Sequence, residues 1–223
     1  MKKTGRVVCT LGLCTLMLLI LAGAGCAALG LAASTLPKPP VPAKYKDLRG
    51  QKVAVMIWVA PGCRIDWPQL TLDTANGIQQ QLQNSVKDKV HEVEGATFPM
   101  SAATVVSMQE DHPEWSAQAI EEIAPKLGVT RVIYVEVENF QTRSDASVEL
   151  FRGSMSGRVK VIEVNNGVAR MGFSEDNVRV VYPTHGPDEG EPNKNDYDMY
   201  RKTVNEFTTT VANLFVTHHD EDE

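Results

Sequence analysis

The chain has 223 residues, with 22 lysines and arginines against 28 aspartates and glutamates and a formal net charge of −6. Proteins that bind nucleic acid need cations to neutralise phosphates and release counterions, and this sequence has no patch rich in Lys or Arg. Composition and charge therefore argue against a nucleic-acid-binding protein.

The N-terminus combines a basic start with a long apolar stretch. Lys2, Lys3 and Arg6 come first, and no further charge occurs before Lys38. The cations stay cytoplasmic while the apolar part enters the bilayer, so this pattern predicts export. The stretch is also long enough for a transmembrane helix, which needs roughly 20 apolar residues. We assign residues 1–33 to a signal, lipoprotein or membrane-anchor segment.

The stretch contains a cysteine in a suggestive context. Residues 21–26 (LAGAGC) resemble the lipobox of bacterial lipoproteins, in which small residues precede a cysteine that receives the lipid. Gly23 departs from the usual leucine, and the chain stays apolar to Ala33. Cys26 is the predicted lipidation site, with an uncleaved membrane anchor and a cleaved soluble form as alternatives. Ala27 is not the aspartate that signals inner-membrane retention in familiar Gram-negative lipoproteins, and the choice of membrane stays open.

Cysteine usage agrees with this division. Cys9, Cys14 and Cys26 lie in the targeting segment, which leaves Cys63 alone in the folded part. A lone cysteine cannot form a disulfide within its own domain. Stability must come from an apolar core, and about 180 residues are enough to bury one.

Proline-rich sequence then separates the targeting segment from the domain. Proline fixes φ and lacks an amide donor, so residues 34–45 predict a stiff, extended tether. We assign residues 46–217 to one α/β domain and residues 218–223 to an acidic tail.

The first half of the domain alternates strands and helices. Lys52–Ala60 is apolar on both alternating faces, as in a strand covered on both sides. A helix starts near Pro68 and repeats apolar residues every three or four positions. A shorter strand is predicted near Lys89–Glu94. Ser101 is a candidate cap for a helix that breaks at Pro113.

A further turn starts at Ser116 and runs to Leu127, where Gly128 suits the left-handed residue that closes a helix. Arg131–Thr142 is the second strongly apolar strand.

A long hairpin follows. Leu150–Val164 alternates apolar and polar residues, and Asn166-Gly167 is the strongest short-range signal for a tight hairpin turn. The return strand is Val168–Tyr182, with a possible bulge at Ser174–Asn177. After a polar loop, Asp198–Thr217 shows one apolar helical face.

The predicted fold class is therefore α/β, with a mixed sheet. Its order is β-α-β-α-β, followed by a long β-hairpin and a closing C-terminal helix. Apolar strands separated by helices imply a partly parallel sheet, and the hairpin adds antiparallel strands.

Three short segments carry a resemblance. They are residues 53–56 (VAVM), residues 124–129 (APKLGV) leading into 132–135 (VIYV), and residues 157–164 (GRVKVIEV) running into Asn166-Gly167. With the element order, they make residues 46–217 similar to a periplasmic α/β domain of bacterial lipoproteins. That domain occurs in the curli-secretion lipoprotein, the penicillin-binding-protein activators and the N-terminal part of TolB. The resemblance implies a non-catalytic domain that binds other envelope proteins.

Candidate contact residues follow the first strand. Cys63 and Arg64 occupy the strand-to-helix position at which open α/β sheets usually bind ligands. Trp67 and Trp115 flank helix starts, where an exposed ring can anchor a partner, although packing is the simpler interpretation. Trp58 is expected in the core.

No metal and no cofactor is expected. His185, His218 and His219 lie near acidic residues, but their spacing matches no ligand motif, and a solvated acidic surface is the simpler interpretation. The loop after the first strand lacks the glycines of dinucleotide and P-loop sites, and no serine-hydrolase elbow occurs.

These patterns predict a non-catalytic, membrane-tethered lipoprotein of the bacterial cell envelope, with its domain facing the periplasm. It would act as a binding, scaffold or accessory subunit for another envelope protein. The alternative is a thiol-dependent enzyme or a small-molecule sensor that uses the Cys63 loop. The oligomeric state stays open.

Overall fold

A computed structural model describes residues 39–145, 147, 149–185, 187 and 189–219. The chain divides into two units between Pro39 and Pro40, and the second is the unit described below. Its elements in chain order are β1 (Val53–Val59), α1 (Pro61–Asp66), α2 (Leu70–Lys87), α3 (Ala102–Asp111), a 3-10 helix (Pro113–Ala117), α4 (Ile120–Ile123), a second 3-10 helix (Ala124–Leu127), β2 (Arg131–Arg143), β3 (Phe151–Asn165), β4 (Val168–Tyr182) and α5 (Asp196–Asn213).

The four strands form one mixed sheet in the order β1-β2-β3-β4. β1 and β2 are parallel, because the chain crosses between them through α1 to α4. β2, β3 and β4 are antiparallel neighbours. This mixed sheet with a closing C-terminal helix confirms the predicted α/β class.

The sheet is covered unequally on its two faces. Alternate strand residues such as Val55 and Ile133 pack with α2 and α5 in the larger core cluster. Residues of the other parity, such as Met56 and Val132, pack with the short helices between residues 113 and 127. Successive side chains of a strand point to opposite faces, so the doubly apolar β1 is explained by cover on both sides.

Several local signals act as predicted. Ser101 caps α3 by accepting a hydrogen bond from the amide of Thr104. Gly128 ends the second 3-10 helix at φ 66°. Asn166 and Gly167 have φ of 51° and 80°, the positive values that a type I′ hairpin turn needs. The predicted bulge is also present, since the β3–β4 register shifts between Val178 and Glu175.

The strand predicted at Lys89–Glu94 is wrong, because these residues form consecutive turns. Lys89 has φ 56°, and the amide of Val93 bonds to the carbonyl of Val90. Apolar residues three positions apart suit a turn and do not fit the two-residue period of a strand. The neighbouring Thr97 makes a parallel bridge to Lys52.

The last residues assigned to the tether belong to the folded unit. Val41 pairs with His218 in an antiparallel bridge, and Ala43 and Tyr45 are buried. The amide of Tyr45 bonds to the carbonyl of Leu214, just after α5. Residues 41–45 therefore form a strap along the domain and belong to the folded unit.

The predicted lipidation site, Cys26, and the whole targeting segment lie outside the described residues. Within the described part, no helix is both long enough and apolar enough to cross a membrane.

Candidate functional site

A cleft of about 690 Å³ lies at the carboxyl end of β1. Met56 to Val59 form its floor, the start of α2 and the α1 region form one wall, and α3 with the following 3-10 helix forms the other. Ligands of open α/β sheets commonly bind beyond the carboxyl ends of strands. The position of the cleft follows from the fold, because α1 turns away from β1 directly after Ala60.

The cleft is lined mainly by apolar and aromatic groups. Trp58, Leu72 and Val106 are partly buried and line it, together with the more deeply buried Trp115. Trp58 was predicted in the core, but its side of the sheet is covered only near the start of β1, so the ring is half-buried at the cleft. Burial raises the pKa of Tyr134, which also lines the cleft, and the Glu136 carboxylate raises it further.

Gln109 places an amide at the edge of β1. Its Nε2 donates a 2.9 Å hydrogen bond to the backbone carbonyl of Ile57. Since a carbonyl can only accept, the amide nitrogen must face it. The Oε1 atom is buried and has no hydrogen-bond partner among the described residues. A buried unpaired acceptor is uncommon in folded proteins, and this one belongs to a residue that lines the cleft.

Two opposite charges stand on opposite walls. Arg64 lies on the α1 side and Glu110 on the α3 side, and both are exposed. Neither forms an ion pair with any described residue. Ile65 follows Arg64 on the short helix α1, and 77% of it is exposed.

Of Cys63, Arg64 and Trp67, only Arg64 lines the cleft; Trp115, the other tryptophan considered as an anchor, also lines it but is buried. Cys63 is half-buried against the larger core cluster and is not disulfide-bonded. Its sulfur lies 3.9 Å from the backbone carbonyl of Glu138, on β2.

The Trp67 ring is a packing element. It stacks on Tyr200 with the ring centroids 5.0 Å apart and meets Phe140 edge-on at 5.6 Å. The hydroxyl of Tyr200 donates a 2.7 Å hydrogen bond to Asp73. Burial raises the pKa of Tyr200, and the bond to Asp73 raises it further. This cluster joins α1, α2 and α5.

A second groove of about 680 Å³ runs between α2 and α5. Two of its polar groups, Tyr200 and Asp73, are joined by the hydrogen bond described above. Lys202 lies over the Tyr182 ring at 5.2 Å, and the hydrogen bond to Tyr182 raises the pKa of Lys202. The cleft beside β1 is the better candidate because it lies at the carboxyl end of a strand, where open α/β sheets commonly bind ligands.

The histidines form no described metal site. Among the residues that the structure describes, no group of three or more His, Cys, Asp or Glu side chains is close enough to hold a metal ion. His218 is engaged in the bridge to Val41. Asp188 and residues 220–223 lie outside the described residues.

Sequence comparisons identify no family: no family model matches the chain, and no curated protein matches it. Solved structures that it resembles include the PelC dodecamer from Paraburkholderia phytofirmans, at 10% identity and TM-score 0.43, over 80% of this chain and 96% of that chain.

Two further solved structures are similar. The hypothetical protein CT253 from Chlamydia trachomatis has 16% identity and TM-score 0.40, over 74% of this chain and 98% of that one. Lipoprotein GNA1162 from Neisseria meningitidis has 12% identity and TM-score 0.36, over 72% and 96%. At these scores the similarities assign no family, substrate or partner. The resemblance to the curli-secretion, penicillin-binding-protein-activator and TolB domains stays a prediction.

Proposed function

We propose that this protein is a lipoprotein of the bacterial cell envelope, tethered to a membrane through Cys26. Its domain is a non-catalytic binding or scaffold subunit that docks another envelope protein at the cleft beside β1. The tethering rests on the basic start, the apolar stretch and the lipobox-like residues 21–26.

The cleft and its rim carry the docking proposal. Arg64 lines the pocket together with Trp58 and Leu72 and forms no ion pair with a described residue, and the exposed Ile65 follows it on α1. Protein interfaces are enriched in arginine and aromatic residues, with apolar anchors that fill pockets on the other side. An exposed isoleucine next to an open aromatic pocket suits such an interface, because docking removes both from water.

The length of the tether limits where a partner can be. Cys26 and Val41 are 15 positions apart, and a fully extended chain spans at most about 3.6 Å per residue. If Cys26 carries the lipid, Val41 lies within roughly 54 Å of it, close enough for the domain to meet a partner that is itself in or on the membrane.

Site-specific photo-crosslinking in intact cells tests the docking. One version carries a photoreactive amino acid in place of Ile65, and a matched version carries it in place of Asn84, an exposed residue near the end of α2. We expect a discrete adduct with one envelope protein from position 65 and none from position 84. Adducts of equal yield at both positions, or at neither, would refute docking at the cleft.

Mass spectrometry of the membrane-extracted protein tests the tether. The expected N-terminal peptide starts at Cys26 and carries acyl chains. A peptide that still contains Met1 to Gly25 would refute lipidation and favour an uncleaved anchor.

A further inference from the structure

We infer that the cleft holds an extended segment of the partner as a strand-like addition along the outer edge of β1, with a bulky apolar side chain in the pocket and an acidic side chain on Arg64. This inference rests on the proposed docking function and specifies the chemistry of the partner's segment.

The edge of β1 next to the cleft provides backbone groups for such a segment. The amide of Ala60 donates to Val137 on β2, whereas the amide of Val53 donates to Thr97 on the opposite side. Alternate residues of a strand direct their backbone groups to the same side. Ile57 and Val59, which have the parity of Val53, therefore direct theirs to the outer edge.

Gln109 already takes the place of a neighbouring strand at one position. Its amide makes the hydrogen bond to the Ile57 carbonyl that a strand N–H would otherwise make. The Oε1 atom is buried and has no partner among the described residues, so an incoming chain that displaces the Gln109 side chain can donate an N–H to the Ile57 carbonyl in its place and let the amide pair with solvent. A peptide bond supplies such a donor at regular intervals, which is the basis of recognition by strand addition.

The apolar part of the cleft sets the side chain that such a segment presents. Leu72 and Val106 come from opposite walls, and Trp58 lies between them on the floor. Side chains of a strand alternate in direction, so one residue of the segment enters the pocket while its neighbours face outward. A leucine, isoleucine or phenylalanine has the size and character for this position.

The charges set the sign of the neighbouring residue. The guanidinium of Arg64 forms no ion pair with a described residue, and a carboxylate accepts its hydrogen bonds well. Glu110 on the other wall repels a second acid and favours a base. Opposite charges on the two walls thus give the bound segment a preferred direction.

The edge strand β4 is less suited to the same role. Among the described residues it pairs only with β3, but its register with β3 shifts twice, next to Gly172 and between Glu175 and Val178. Arg170 and Asp176 are exposed on it. Bulges and charges are the usual means by which edge strands avoid pairing, so strand addition is expected at β1.

Peptide selection tests the inference. Random heptapeptides displayed on phage are selected on the full-length protein in detergent micelles. We expect at least 10-fold enrichment of peptides in which Asp or Glu stands consistently on one side, N-terminal or C-terminal, of Leu, Ile or Phe. Arg64→Glu should change the enriched charge to Lys or Arg, since the residue is exposed and its replacement leaves the fold intact. Arg201→Glu, a matched reversal in the other groove, should leave the selection unchanged.

The inference would be overturned if the wild-type chain enriched no peptides, or if the acidic preference survived Arg64→Glu. It would also be overturned if free leucine or glutamate displaced the selected peptides at similar concentrations. Self-association of the chain, with a second copy blocking the cleft, is the fourth outcome that would overturn it. If the selection enriched no sequence pattern but the crosslink from position 65 persisted, the strand-like segment would be refuted and the docking function would stand. Loss of both would refute the docking function as well.

Discussion

The hydroxyl of Tyr45 donates a 3.0 Å hydrogen bond to Oε1 of Glu163, across 118 residues of sequence. The same hydroxyl oxygen accepts a hydrogen bond from Nε of Arg131, and Arg170 donates twice to Oε2 of Glu163. Tyr45, Arg131 and Glu163 are all buried. This network fastens the strap, where the chain enters the domain, to β2 and β3.

Replacing the carboxylate should loosen the strap. Glu163→Gln keeps one acceptor but loses the charge that Arg170 and Arg131 face. We expect the free energy of unfolding to fall by about 1–3 kcal/mol, measured by urea denaturation. Glu94→Gln is the matched control, because the Glu94–Arg49 pair is exposed on both sides and such pairs contribute about 0–1 kcal/mol. Equal losses in the two variants would contradict a structural role for the network.

The stability of the fold should depend on pH through the Glu163 carboxylate. The hydrogen bonds from Arg170 lower the pKa of Glu163 below its ordinary value of 4.5, as do the bond from Tyr45 and the charge of Arg131. A carboxyl group whose pKa is lower in the folded than in the unfolded state stabilises the fold above pH 4.5. This stabilisation is lost as the pH falls through the pKa of the folded state. The wild-type chain should therefore lose more stability below pH 4.5 than Glu163→Gln. Thermal melts from pH 6 to pH 3 measure this, and parallel curves would contradict it.

A glycine at the β2–β3 pairing should tolerate no side chain. A Cβ on Gly157 would lie 2.2 Å from the backbone oxygen of Glu136, and backbone cannot move aside as a flexible side chain can. Gly157→Ala should lower the free energy of unfolding by about 2–3 kcal/mol. Gly62→Ala is the control, because nothing lies within 4 Å of a Cβ there. A Gly157→Ala chain as stable as the control would show that the two strands can separate locally at little cost.

The Cys63 thiol should not matter for docking. Its sulfur packs near the Glu138 carbonyl and is not among the groups that line the cleft. We expect Cys63→Ser to keep the crosslink from position 65 and to change the unfolding free energy by less than about 1 kcal/mol. If this variant instead lost the crosslink or a measured activity of the wild-type chain, the thiol-dependent alternative would replace the docking proposal.

Local signals in the sequence determined the class of the domain and most of its elements. The doubly apolar β1, the cap at Ser101, the left-handed Gly128 and the Asn166-Gly167 turn each act within a few residues, so their effect can be read without the fold. The strand expected at Lys89–Glu94 failed because hydrogen bonds of a turn competed with strand pairing, and a short segment carries too few apolar positions to decide between them.

Tertiary structure decided most of the candidate site. Gln109 reaches Ile57 from 52 residues away, and no local pattern marks either residue. Trp58 is half-buried because the helices leave its end of β1 partly uncovered. Tyr45 is buried where its hydroxyl meets Glu163 on β3. Contacts between distant residues depend on how the elements pack, which local periodicity does not encode. For Arg64 the sequence and the structure agree. The sequence predicted its position after β1, and the structure places it in the lining of the cleft.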